Sequence, residues 1–196
     1  NPVQDGIYNS RNQYLGLNCT KPQTELKYSL NKGYAITMCR NCTKYNASIW
    51  FQEGQNGLTI LANNSQRQKY NLTINFTVDS TYPAILSSNP KTSFINKGPF
   101  VMTYTELNPK REILFYREAG KSYQQMEKTD CPGGNSQACS FSLDLAPFDG
   151  KDLEYFFSLE DIAGNARNYS SYKLRVLTSN PILSINLPFK QIYNTS

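Results

Sequence analysis

An all-β chain made of two tandem β-sandwiches is predicted by three features of the sequence. Segments in which apolar and polar residues alternate recur about every 8 to 15 residues, the period of strands with one buried face. Gly, Pro and Asn cluster between them, where turns need positive φ or a preset φ. Helical periodicity is absent. In the first half, strands are expected at residues 14–18, 25–30, 34–38, 48–53, 58–62 and 70–78. In the second half they are expected at 84–87, 100–106, 112–117, 140–145, 153–160 and 172–177. Six strands per half suffice for one sandwich each. The expected boundaries are 1–82 for the first domain, 83–180 for the second and 181–196 for a separate C-terminal strand. The junctions near Asp79 to Pro83 and Ser179 to Pro181 are short and contain proline, which makes them stiff.

With 196 residues, both halves can bury a core. Charged residues are only 18% and aromatics reach 13%, including 14 Tyr, which excludes a disordered tail. The net charge of +5 comes from dispersed Lys and Arg, densest at Pro109-Lys110-Arg111-Glu112, so nucleic acid is not an expected partner. No apolar run approaches the roughly 18 residues of a membrane helix, and any export signal is expected to have been removed already. There is no histidine, which removes the commonest general base and metal ligand. The expectation is therefore no enzyme, no catalytic residue and no bound metal or cofactor.

The Asn, Ser and Thr content points outside the cell. With 21 Asn and 32 Ser plus Thr, chance placement gives about 3 Asn-x-Ser/Thr acceptors. Eight are present, at Asn18, Asn41, Asn46, Asn63, Asn71, Asn75, Asn168 and Asn194. In KYNLTINFTVD, Leu72, Ile74, Phe76 and Val78 alternate with Asn71, Thr73, Asn75 and Thr77, so both of its acceptors should face solvent. Cys131 and Cys139 bracket the turn-rich PGGNSQA and should form a staple. Cys39 and Cys42 form CRNC, which suits a local disulfide or one shared with Cys19; one cysteine must stay unpaired. Redox or zinc roles lack the helix N-terminus or the further ligands they need.

The halves repeat one another. FQEGQNGLTILANNSQRQKYNLTINFTVDSTYP runs parallel to FDGKDLEYFFSLEDIAGNARNYSSYKLRVLTSNP: a Gly-containing turn, a strand, a polar hairpin loop, a final strand and a proline exit. With ELKYSLNKG, CRNCTKYNASI and NFTVDSTYP in the first half and ILFYREAG, FSLDLAPFDGKDLEYFF and EDIAGN in the second, the chain is similar to the Ig-like modules repeated in archaeal cell-surface and surface-layer proteins. The resemblance implies two Ig-like sandwiches in a surface or filament protein. The first half departs from the family's Asp-x-x-Gly-Asn hairpin: it has Asn63, Asn64 and Ser65 where Asp161, Gly164 and Asn165 stand in the second.

The second half opens with PAILSSNP and the tail with PILSINLP, each with two prolines seven apart (Pro83 and Pro90, Pro181 and Pro188). The tail thus begins a third module, while the first module lacks its own first strand. Either the chain is part of a longer tandem array, or Ile182 to Leu187 fills the gap in a neighbour, with Leu183, Ile185 and Leu187 inward and Ile182 on the opposite face. Both readings make the chain an extracellular structural protein whose partners are copies of itself or neighbouring modules. An adhesin-type binding module for a cell-surface or glycan partner, and an accessory domain of a larger surface protein, are the alternatives. Calcium is weighed at Asp149, Asp152, Glu154, Glu160 and Asp161, although strand-end turns place such residues there without an ion. A Lys–Asn isopeptide bond is compatible with sandwiches of this kind, but no Lys stands out. Trp50, the lone indole, is expected in the core.

Overall fold

In a computed structural model that describes residues 1–66 and 68–179, fourteen strands and one 3₁₀ turn at Ala146–Phe148 account for the regular structure, so the chain is all-β as expected. Among the described residues there is no α-helix, and no helix is long and apolar enough to cross a membrane.

The first half forms one five-stranded sheet in the order β1-β5-β4-β2-β3, from β1 (Ile7–Tyr8), β2 (Asn12–Leu30), β3 (Ile36–Trp50), β4 (Gly54–Asn63) and β5 (Lys69–Val78). Four expected strands are fused here into two. β2 and β3 run as one long antiparallel ribbon, with a register shift between Asn18 and Gln23 that divides it into two limbs. Residues 12–18 pair with 44–50 in the first limb; residues 23–28 pair with 36–42 in the second, which also pairs with β4 through Leu26↔Ala62 and Tyr28↔Ile60. Leu15, Ile49 and Phe51 meet Leu58, Ile60, Phe76 and Val78 in a single buried cluster. The first limb is therefore folded over β4 and β5 as a second layer. Phe76 lies at its centre, edge-on to Phe51 at 4.9 Å and to Tyr8 at 5.7 Å.

The second half is a two-sheet sandwich. One sheet has the order β11-β8-β6, from β6 (Ala84–Asn89), β8 (Phe100–Glu106) and β11 (Gly134–Phe141). The other has the order β10-β9-β12-β14-β7, with β13 (Ala166–Asn168) on β12. It is built from β7 (Phe94–Ile95), β9 (Pro109–Glu118), β10 (Gln124–Lys128), β12 (Asp152–Asp161) and β14 (Tyr172–Val176). Alternation along β8 and β12 sends Phe100, Met102 and Tyr104 inward against Leu153, Tyr155, Phe157 and Leu159.

The two halves share one plan. β1 runs parallel to β5 as β7 runs parallel to β14. The hairpin loops close the same way: Asn64 accepts the amide of Gln68, and Asp161 accepts that of Asn165, each four residues on. Gly164 takes φ +86° in the second loop, whereas Asn64 in the first has no positive φ. Asn165 also donates from Nδ2 to the carbonyls of Asp79 and Thr81, which straps the connecting segment to this hairpin.

Several expectations are corrected. The strand placed at 140–145 lies earlier, at Gly134–Phe141, because the Cys131–Cys139 disulfide brings this segment against β8. Trp50 is 63% exposed rather than buried: it ends β3 on the outward side of the alternation, and the inward neighbours Ile49 and Phe51 take the core positions. Leu72 is 47% exposed, since β5 reaches beyond the core and only Ile74, Phe76 and Val78 meet the opposite layer. The two residues have equal standing in the sequence, so their truncation separates the readings. Phe76→Ala should cost about 3 to 5 kcal/mol and Leu72→Ala about 0.5 kcal/mol or less, as read from denaturant midpoints.

Candidate functional site

The feature that distinguishes the halves is a strand edge. In the second half β8 is paired on both sides, by β11 and by β6. The corresponding limb of the first half, residues 12–18 of β2, is paired with β3 alone among the described residues. Its free side carries backbone donors and acceptors that side chains cap. The Asn1 carboxamide donates from Nδ2 to the Gly16 carbonyl at 3.0 Å and accepts the Gly16 amide on Oδ1. This is the two-bond exchange that a neighbouring antiparallel strand makes. At Asn12 the Ser10 hydroxyl takes the amide at 3.3 Å and donates to the carbonyl at 3.4 Å. Alternation turns the main-chain groups of Tyr14 and Asn18 to the same side. Inward of this edge lie Leu15, Leu17 and Ile49, so the edge opens beside the core.

The strand expected to fill such an edge, with Ile182, Leu183, Ile185 and Leu187, lies outside the described residues, as does the acceptor Asn194. Of the other acceptors, Asn18, Asn41, Asn46, Asn71, Asn75 and Asn168 are exposed and Asn63 is half-buried. Asn75 faces Gly57 across β4 and sits in a groove of 490 Å³ with Thr59, Thr73 and Lys32. Asn71 faces Leu61, in a second groove with Asn63. The cysteines resolve the open alternatives: Cys39–Cys42 and Cys131–Cys139 are bonded, and Cys19 is a free, half-buried thiol.

The acidic residues weighed for calcium do not converge. Asp149 accepts the Thr178 amide at 2.7 Å and the Ser179 hydroxyl at 2.6 Å, bonds that hold its carboxyl down at about 2. Lys173 and Arg175 lower Asp152; Glu154 pairs with Arg117; Lys110 and Arg111 lower Glu160. Asp161 belongs to a different group, with Asp79 and Glu106, whose carboxylate oxygens lie within 4.8 Å of one another. Burial, together with the neighbouring carboxylates, raises both Asp79 and Glu106.

A further group has only a faint signal in the sequence. Glu112 lies within β9 at a position that turns it into the core, where it is 1% exposed. One oxygen stands 3.5 Å from the Tyr104 hydroxyl, which itself donates to the Pro132 carbonyl at 2.7 Å; the other has no partner and faces the Cys131–Cys139 disulfide. Desolvation pushes Glu112 up to about 7 and raises the Tyr104 hydroxyl as well. The period-two pattern alone could have flagged Glu112, since Leu114 and Tyr116 continue its face.

No family model and no curated protein matches the sequence. Solved structures do resemble it. The fibronectin(III)-like modules of Clostridium thermocellum CbhA are 11% identical over 94% of this chain and 97% of that one, with a TM-score of 0.47. A tetra-tandem repeat from the extending region of a large adhesion protein is 14% identical over 90% of this chain and 48% of that one, with a TM-score of 0.42. A two-domain fibronectin type-III segment of chicken tenascin is 13% identical over 89% and 96%, with a TM-score of 0.37.

The carboxyl groups set a pH window. Glu112 is raised in the fold from 4.5 to about 7, so its contribution to stability is full below pH 4.5 and is lost as the pH rises through 7. Asp149 is lowered from 3.8 to about 2, so its contribution is present above pH 3.8 and is lost as the pH falls towards 2. Between pH 5 and 8 the wild-type denaturation midpoint should fall, by on the order of 1 to 3 kcal/mol in stability, and Glu112→Gln should flatten that slope. An unchanged slope in the variant would assign it to other groups.

Proposed function

We propose that this chain is a non-catalytic, N-glycosylated structural subunit of an extracellular filament or surface array, divided into Ig-like modules at 1–82 and 83–180. Subunits join when the strand 181–188 of one chain adds to the edge of β2 in the next. The observation that carries this reading is the Gly16 edge: its amide and carbonyl are held by a side-chain amide where β8 has the strand β6. The donor repeats the sequence of β6, PILSINLP against PAILSSNP, and the pairing of β6 with β8, in which Ile85 is opposite Tyr104 and Asn89 opposite Val101, supports a like register for the addition. Main-chain hydrogen bonds give the joint its affinity, and burial of Leu183, Ile185 and Leu187 contributes about 1.5 to 3 kcal/mol each before the cost of ordering the tail. Because donor and acceptor are different segments of the chain, the contact is heterologous and propagates. Eight acceptor asparagines and two disulfides suit an oxidising exterior.

Removing residues 181–196 should leave a folded chain that no longer assembles. A synthetic peptide of residues 181–188, added in trans, should bind that chain and displace Asn1 from Gly16. Gly16→Pro takes one donor from the free edge while leaving the β3 side intact, and should weaken peptide binding about tenfold or more in titration calorimetry. Assembly that persists without 181–196 would overturn strand donation.

A further inference from the structure

The outward face of the first ribbon limb carries an acceptor asparagine beside two exposed aromatic rings. Across β2 and β3, Asn46 is opposite Gly16, Ser48 is opposite Tyr14 and Trp50 is opposite Asn12. Asn46 and Ser48 are the first and third residues of the acceptor triplet. Tyr14 is 54% exposed and Trp50 63%, while the alternate residues Leu15, Ala47 and Ile49 turn inward. The core uses neither ring. Gly16 is the floor between Tyr14 and Asn46: a Cβ there would stand 3.1 Å from the Tyr14 ring edge and 3.3 Å from the Asn46 carboxamide oxygen. The ring and the carboxamide thus flank one bare stretch of backbone, and a glycine inside a strand marks such a place of close approach.

We infer that the sugar attached to Asn46 stacks on Tyr14 and that the glycan runs along the ribbon to Trp50. The inference rests on the glycoprotein reading above. A pyranose presents an apolar C–H face and a rim of hydroxyls, which matches an aromatic face bordered by hydrogen-bonding groups. Tyr14 supplies the face, and Asn12, Ser48 and Arg11 the border. Arg11 already lies 5.0 Å from the Trp50 ring centre, so one side of the indole is taken and the other is left for the sugar. Trp50 is four residues from Asn46 along β3, about 13 Å at strand rise, which a second or third sugar unit reaches. Attachment is by displacement at the anomeric carbon of a polyprenyl-phosphate-linked oligosaccharide: the C–N bond to Asn46 Nδ2 forms, the C–O bond to phosphate breaks, and Nδ2 loses a proton. Tyr14 takes no part in that step and orients the product.

The test uses the full chain from a glycosylating host, with acceptor occupancy mapped by peptide mass spectrometry. The variants are Tyr14→Phe, Tyr14→Ala and Ser48→Ala, the last removing the acceptor triplet. In the wild type and in Tyr14→Phe, the C–H resonances of the proximal Asn46 sugar should be displaced upfield by the ring current; in Tyr14→Ala they should return to solution positions. Trp50 is the sole tryptophan, so acrylamide quenching reports on it alone and should rise about twofold or more in Ser48→Ala, in keeping with the strength of a stacked contact. Sugar resonances that ignore Tyr14→Ala, or quenching that is equal with and without the glycan, overturn the inference. So does an unmodified Asn46 on a chain glycosylated elsewhere. A chain with no modified acceptor overturns the glycoprotein reading itself.

Discussion

A β-strand exposes main-chain donors and acceptors on both sides, and every one needs a partner. The architecture follows how this chain meets that demand. The second half closes β8 between β11 and β6, and its two sheets then enclose Tyr155 and Phe157. The first half has no β6 among the described residues, so one long β2–β3 ribbon, broken between Asn18 and Gln23, supplies both layers around Phe76. One side of its first limb is left to the Ser10 hydroxyl and the Asn1 carboxamide. Caps of this size occupy an edge without committing it, since the proposed added strand would make the same bonds and add apolar burial.

That edge organises the surface around it. The inward residues of the limb, Leu15 and Leu17, border the core, where an added strand would extend it. The outward residues Tyr14 and Asn46 face solvent on the same short stretch. The proposed pairing and glycan attachment would therefore use perpendicular directions of one ribbon, backbone in the plane of the sheet and side chains above it. The two proposed uses of the ribbon therefore do not compete.

The second half shows a different economy. Charges on its outer face are matched in cross-strand pairs such as Arg117 with Glu154 and Arg111 with Glu160. The unmatched carboxyl is inside: Glu112 sits beside the Cys131–Cys139 disulfide, and a neutral carboxyl suits its surroundings better than an anion. The contribution of Glu112 is lost towards neutral pH and that of Asp149 in strong acid, so mildly acidic conditions favour the fold on both counts.

The sequence by itself determined the all-β class, the duplication, the Cys131–Cys139 staple and the solvent-facing positions of Asn71 and Asn75. Each of these rests on local spacing: period-two alternation, turn residues, or a pair of cysteines bracketing one loop. Only the tertiary structure decided which side of a strand is used. Trp50 and Phe51 are adjacent and equally apolar, yet one faces solvent and the other is buried. Leu72 and Phe76 share a face, but only Phe76 lies under the opposite layer. The merging of four short strands into β2 and β3, the placing of Tyr14 beside Asn46, and the convergence of Asp79, Glu106 and Asp161 all depend on long-range register. Register is set by how whole layers pack, a sum over distant residues that no local pattern carries.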